Sequence, residues 1–369
     1  ALIGSRIWRK PLFWSEYDHS FWNRYRYELS YVIGAFAAFQ NIDGLAAWDE
    51  PLKRDDISKF DGTNVWKSGP MTTFSMSRDP MRDASELLNW FMFIRGDVSP
   101  APKSVRIVAD RKSVFAKNPD DTPAQEQTIL SLLVGYSQES VDDPERISPA
   151  GKNELILPSL GGGKMKVENL YTVALGTTGD VSGYVDMLRK VGFLSKENRS
   201  NGSTVFENST REWYMDFEKK YMTINTKRLQ GMCAPAGSTA KLDDFEITGH
   251  SQDGNLTLVA VDGMKSIREA GRLLLVRLTN ALNTNMSFDD IDMRRLTDIG
   301  TVPALMKNSK FAVRIRNNDA ENLKLFPLTL EGRRTGKAIS PVAVKDGTAV
   351  FSVDTAEAGN TTFFEISKN

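Results

Sequence analysis

From Pro11 the chain runs Pro-Leu-Phe-Trp-Ser before it meets Glu16, a short apolar run that suits a buried strand ending near that acid. Between Asn23 and Gln40 the period changes. Tyr25, Leu29, Val32, Phe36 and Phe39 recur at spacings of three and four, which predicts a helix with Arg24 and Glu28 on another face. Apolar residues extend nearly all round it, so burial on most sides is expected. Ile42 to Trp48 reads as a second strand, broken by Asp49-Glu50-Pro51. Strand, helix and strand in this space make a βαβ unit with parallel neighbours. A second amphipathic helix is predicted over Asp83 to Ile94, entered through Arg78-Asp79-Pro80 and closed by Arg95-Gly96-Asp97.

Both faces of a parallel sheet must be covered. A complete eight-unit barrel takes roughly 250 residues, whereas sequence of this type ends near residue 97. The stretch therefore supplies about two of eight units, or else forms a smaller α/β layer of its own. Past Pro100-Ala101-Pro102 the texture shifts to a strand at 104–109, a helix at 124–136, a strand at 171–175 and a helix at 181–191, with a Gly161-Gly162-Gly163 loop between. From about residue 204 strands dominate, at 221–226, 256–261, 272–278, 311–316, 323–330, 349–353 and 361–366. Phe311-Ala-Val-Arg-Ile-Arg alternates as a half-buried strand does, and Asp262-Gly263, Glu331-Gly332 and Asp346-Gly347 mark turns. An antiparallel sandwich is the expected product. The fold class is thus α/β plus all-β: the last units of a TIM-type barrel (1–97), an α/β accessory region (98–203) and a β-sandwich (204–369).

Composition narrows the chemistry more than the fold. Lys+Arg and Asp+Glu balance at 47 each, leaving no basic stripe for a sequence-independent grip on nucleic acid. One cysteine and two histidines exclude an intramolecular disulfide and a Cys/His zinc cage, and no cofactor is implied. No stretch reaches the length of a membrane span. Compartment is not fixed by these features; an extracellular or periplasmic setting is the leaning.

The ordered series Pro11-Leu-Phe-Trp-Ser-Glu16-Tyr-Asp-His, Asn23-Arg-Tyr-Arg-Tyr-Glu28 and Gln40-Asn-Ile-Asp43-Gly-Leu resembles the end of the catalytic barrel in clan A glycoside hydrolases. The likeness is greatest to large bacterial enzymes related to family 42 β-galactosidases. Thr223-Ile-Asn-Thr226-Lys-Arg228-Leu-Gln230-Gly and Arg272-Leu-Leu-Leu-Val-Arg-Leu-Thr-Asn resemble the β-rich C-terminal region of such enzymes. The resemblance implies a retaining mechanism, an oligo- or polysaccharide substrate, and a homo-oligomer, as relatives of this architecture often self-associate. It puts Glu16 at the nucleophile position on barrel strand seven and Trp48 at the aromatic platform of strand eight. The acid/base partner, from strand four, would come from residues upstream of this chain.

Barrel chemistry takes place at strand C-terminal ends, so Glu16 is expected to project into a sugar-sized cleft. Pairing with Arg24 or Arg26 is the plainer role for this acid. Tyr17 and His19 follow on what reads as a loop, where sugar hydroxyls or plain solvation are the alternatives. Asn23 suits a helix N-cap better than a substrate contact. Trp14 and Trp48 are candidates for stacking on a pyranose, against core packing. A non-catalytic carbohydrate-binding or assembly module is the competing reading of the whole chain.

Overall fold

A computed structural model describes residues 2–47, 70–72, 79–111, 125–143, 146–159 and 181–368. Trp48, the glycine loop at 161–163 and the strand expected at 171–175 lie outside them. The chain forms two compact units, each assembled from separated stretches. The first takes residues 1–14, 36–45 and 98–218; the second takes 15–35, 46–97 and 219–369. The chain passes from the second unit to the first after Asp97 and returns after Glu218.

Strand β1 spans Phe13–Tyr17. It is followed by a 3-10 turn at Arg26–Glu28, a π-helical turn at Ser30–Gly34 and helix α1 at Ala35–Phe39. Strand β2 spans Gly44–Ala47 and forms a two-stranded sheet with β1. The described residues close no barrel. Helix α2 spans Pro80–Asn89 and continues into a π-helical turn, Trp90–Ile94. Its start is legible in chemistry: Pro80 occupies the first turn, and Asp79 caps it by accepting from the Met81 N–H at 3.0 Å.

The first unit holds strands β3 (Ser104–Asp110), β4 (Gly135–Val141) and β5 (Glu154–Pro158), parallel in the order β4-β3-β5. On the central strand, fully buried Arg106 pairs with Glu139 of β4 at 2.7 Å and Glu154 of β5 at 3.1 Å. Its guanidinium also lies 3.8 Å from the Trp8 ring centroid. Helix α3 (Val181–Lys190) and an antiparallel hairpin, β6 (Val205–Glu207) with β7 (Trp213–Asp216), complete the unit. Where a helix was expected over 124–136, a 3-10 segment ends at Leu132 and β4 begins at Gly135.

The second unit contains the sandwich, and its strands are numbered on from there. They are β8 (Tyr221–Asn225), β9 (Leu229–Ala234), β10 (Ala240–Lys241), β11 (Phe245–His250), β12 (Gly254–Ala260) and β13 (Arg272–Leu278). An excursion follows, with β14 (Ala281–Thr284), β15 (Ser287–Phe288), β16 (Leu296–Asp298) and β17 (Thr301–Met306). The series closes with β18 (Lys310–Arg316), β19 (Lys324–Leu328), β20 (Ala343–Lys345), β21 (Thr348–Asp354) and β22 (Phe363–Ser367). One sheet runs β10-β11-β18-β21-β20; facing it, strands lie in the order β19-β22-β13-β12-β9-β8. Every neighbouring pair within these two layers is antiparallel. Phe245, Val313, Ile315 and Phe351 meet Leu256, Leu275, Phe364 and Ile366 in the core between them.

Strand β12 is buried along its whole length, because its second face is also covered. Tyr31 places its hydroxyl 2.9 Å from the Thr257 hydroxyl, and the Asn255 side chain donates to the Tyr27 carbonyl at 3.2 Å. Gly231 of β9 makes that approach feasible. A Cβ there would run into the Tyr31 hydroxyl and stand 2.6 Å from Thr257 Oγ1 and 2.8 Å from the Leu256 carbonyl. Gly231→Ala is therefore expected to lower the unfolding free energy by about 2 kcal/mol, the usual cost of overpacking a filled core. Urea denaturation checks this, and a loss under about 0.5 kcal/mol would contradict the close approach.

Candidate functional site

The C-terminal end of β1 carries the residues to which sequence assigned chemistry. Glu16 is exposed, and among the described residues no hydrogen bond or ion pair engages its carboxylate. Arg24 pairs instead with Asp292 at 3.3 Å and Arg26 with Asp79 at 2.7 Å. Glu16 was expected to face a sugar-sized hollow. It lines neither the cleft of about 1190 Å³ in the sandwich nor the smaller one, about 340 Å³, beside Trp8.

One residue on, everything is fixed. Tyr17 is buried, and its hydroxyl donates to Glu86 Oε2 at 2.7 Å. Burial, reinforced by the Glu86 carboxylate, pushes that hydroxyl's pKa up. Arg82, with 3% of its side chain exposed, forms ion pairs with Asp18 at 2.9 Å and with Glu86 at 2.5 Å. It reaches the Tyr17 carbonyl at 3.4 Å as well. Burial raises the Asp18 pKa even against the opposing pull of Arg82. Tyr17 is thus a structural member of this network rather than a free ligand for sugar hydroxyls: packing and a carboxylate already occupy both ends of it.

His19 is half-buried, with Nδ1 3.4 Å from the Tyr25 carbonyl. Donation from Nδ1 leaves Nε2 as an acceptor. Burial lowers its pKa, and the nearby Arg82 and Arg26 guanidiniums act in the same direction, so the ring is neutral at pH 7. Asn23 is exposed; its side chain accepts from the Tyr25 N–H at 2.9 Å, fixing the turn into the helical segment. Trp14 needs a plain correction. It is buried, and its ring stacks on Phe36 at 5.7 Å between centroids, with Phe36 edge-on to Trp213 at 6.1 Å, which leaves no face for a pyranose. Trp48, the expected platform, is outside the described residues.

Sequence reasoning passed over Arg82 and Glu86. Their i,i+4 spacing on an amphipathic helix was the available signal, though such spacing usually means a solvated pair. It also passed over the state of Glu28. Burial pushes this half-buried carboxyl up to about 7, with Lys220 opposing. The folded form holds a proton that the unfolded chain releases near its ordinary 4.5. Glu28 therefore contributes fully below pH 4.5, and its contribution is lost as pH rises through 7. Glu28→Gln is expected to stabilise the protein at pH 8 by about 2 kcal/mol relative to the parent, with no gain at pH 4. Thermal melts across that range decide it; a pH-independent difference would contradict the shift.

Among the described residues no group of three His, Cys, Asp or Glu is placed to hold a metal ion, and no helix is long and apolar enough to cross a membrane. No family model, curated protein or solved structure matches the chain.

Proposed function

We propose that this chain contributes the nucleophile of a retaining glycoside hydrolase, with Glu16 in that role. One observation carries the reading: Glu16 is an exposed carboxylate near a strand's C-terminal end with no partner among the described residues, and the residue after it is locked in place. A nucleophile needs an unengaged oxygen on an immobile base, and both conditions meet at one residue. In the reaction the carboxylate attacks the anomeric carbon as the glycosidic C–O bond breaks, giving a covalent glycosyl-enzyme. A second carboxyl, supplied from outside this chain, stands about 5–5.5 Å away, protonates the leaving oxygen and then takes a proton from the attacking water. Neutral His19, with Nε2 as acceptor, is a partner for a sugar hydroxyl beside that centre.

The test is covalent trapping. The complete protein is incubated with a 2,4-dinitrophenyl 2-deoxy-2-fluoro-β-galactoside, and peptides are mapped by mass spectrometry. A fluoroglycosyl adduct on Glu16 is expected. An adduct on another residue, or none with galactosides, glucosides and xylosides alike, would overturn the assignment.

The binding-module reading retains one supporting observation. The cleft of about 1190 Å³ exposes Leu305 and Leu330 beside Asn308, Lys337 and Asn360. Among the described residues its lining contains no aromatic ring, which weighs against a sugar platform. Oligosaccharide binding that survives Glu16→Gln but disappears with Asn360→Ala would favour that second reading.

A further inference from the structure

The loop leaving β1 is stapled to α2 by two ion pairs of opposite polarity. Asp18 of the loop takes Arg82 of the helix, while Arg26 at the far end of the loop takes Asp79, the helix cap. Each side supplies one acid and one base. Three of these side chains are no more than 3% exposed, and Asp18 is 11% exposed. Arg26 additionally donates to the Asn23 carbonyl at 2.9 Å and to the Ala281 carbonyl at 2.7 Å. Around Arg82 the contacts close a ring: the Arg82–Glu86 ion pair, the hydrogen bond from the Tyr17 hydroxyl to Glu86, and the hydrogen bond from Arg82 to the Tyr17 carbonyl. Asn89 donates to the same Glu86 carboxylate at 3.3 Å, and the Arg82 guanidinium lies 5.3 Å from the Tyr17 ring centroid.

We infer that Arg82 is the positioning residue for Glu16. This rests on the nucleophile assignment above. Arg82 does not touch the reacting carboxylate; it acts through Tyr17, which the ring of bonds holds at its hydroxyl, its aromatic face and its backbone carbonyl. Fixing the Tyr17 peptide fixes the direction in which Glu16 leaves the strand, while the Glu16 side chain keeps its rotamers. A guanidinium suits the task because its planar, delocalised charge lies against two carboxylates, Asp18 and Glu86, while one N–H reaches a carbonyl; an ammonium is a point charge without that spread. A displacement of about 1 Å at a nucleophile is enough to cost on the order of 100-fold in rate.

Two variants of the complete protein test this: Arg82→Lys, which keeps the charge and loses its planar spread, and Tyr17→Phe, which removes only the bond to Glu86. Backbone amide exchange of residues 15–19 is read by mass spectrometry, and kcat and KM are read on an aryl β-galactoside. For Arg82→Lys the expected result is exchange about 10-fold faster at 15–19, with kcat down about 10- to 100-fold and KM within about 2-fold. Tyr17→Phe is expected to move both in the same direction by less, and it decides the matter if Arg82→Lys does not fold. Unaltered exchange overturns the positioning role, and so does faster exchange with kcat unchanged. Failure of the nucleophile assignment shows separately, as a parent protein that takes no fluoroglycosyl label on Glu16.

Discussion

Glu16→Gln is expected to reduce hydrolysis by the complete protein by about 10⁴-fold, the scale on which removal of a covalent nucleophile is felt. The substitution is nearly isosteric, so under the proposed assignment what is lost is the ability of an oxygen to attack carbon. Glu16 is exposed and no described partner depends on its charge, so the melting temperature should move by no more than about 1 °C. Steady-state rates on an aryl β-galactoside and a thermal melt of the same sample read the two quantities. Turnover unchanged within a factor of about three would remove Glu16 from the reaction. A large drop in melting temperature would assign the rate loss to misfolding instead.

The second large effect concerns stability. Asp79→Asn should lower the unfolding free energy of the second unit by about 3 kcal/mol, near the lower end for breaking one side of a buried ion pair. Arg26 and Asp79 keep 3% and 2% of their side chains exposed and sit 2.7 Å apart. Asparagine caps helices as well as aspartate does, so the bond to the Met81 N–H survives and the change reports the charge alone. Among the described residues Arg26 would be left buried with two carbonyls, those of Asn23 and Ala281, as its acceptors. For a domain of this size about 3 kcal/mol corresponds to a fall of roughly 6–12 °C in the melting temperature. A fall under about 2 °C would mean that those carbonyls compensate the guanidinium fully.

Local periodicity carried much of the sandwich. Phe311, Val313 and Ile315 alternate in the sequence, and all three are buried on β18. Each of the seven strands expected beyond residue 204 overlaps an observed one, because a two-faced strand between turn residues writes its period into the chain. β9 left no such mark: Leu-Gln-Gly-Met-Cys-Ala is buried at every position, and Gly231 interrupts it for the sake of a tyrosine far away in sequence. The first two residues of β4, Gly135 and Tyr136, were read as the tail of a helix, since the apolar run from Ile129 to Val134 before them suits helix or strand. The turn after Leu132 is set by Gly135, whose missing Cβ would lie 3.0 Å from that of Ser104 and 3.3 Å from the Lys103 carbonyl. At the site, the strand carrying Glu16 was legible, whereas the fate of Tyr17 and Asp18 was not. Their partners on α2 stand 64 to 69 residues downstream, as in Tyr17–Glu86. Spacing rules do not reach across that distance.

The bond between Tyr31 and Thr257 spans 226 residues of chain. On a ribosome adding about 5–20 residues per second, the helical segment at 26–34 would wait roughly 10–45 s for the strand it covers. Through that interval Tyr27, Leu29 and Tyr31, all buried in the finished unit, have no sheet to lie against. Nascent chains stalled before residue 229 should therefore be avid clients for chaperones that bind aromatic and aliphatic segments, and release should follow soon after β12 and β13 leave the exit tunnel.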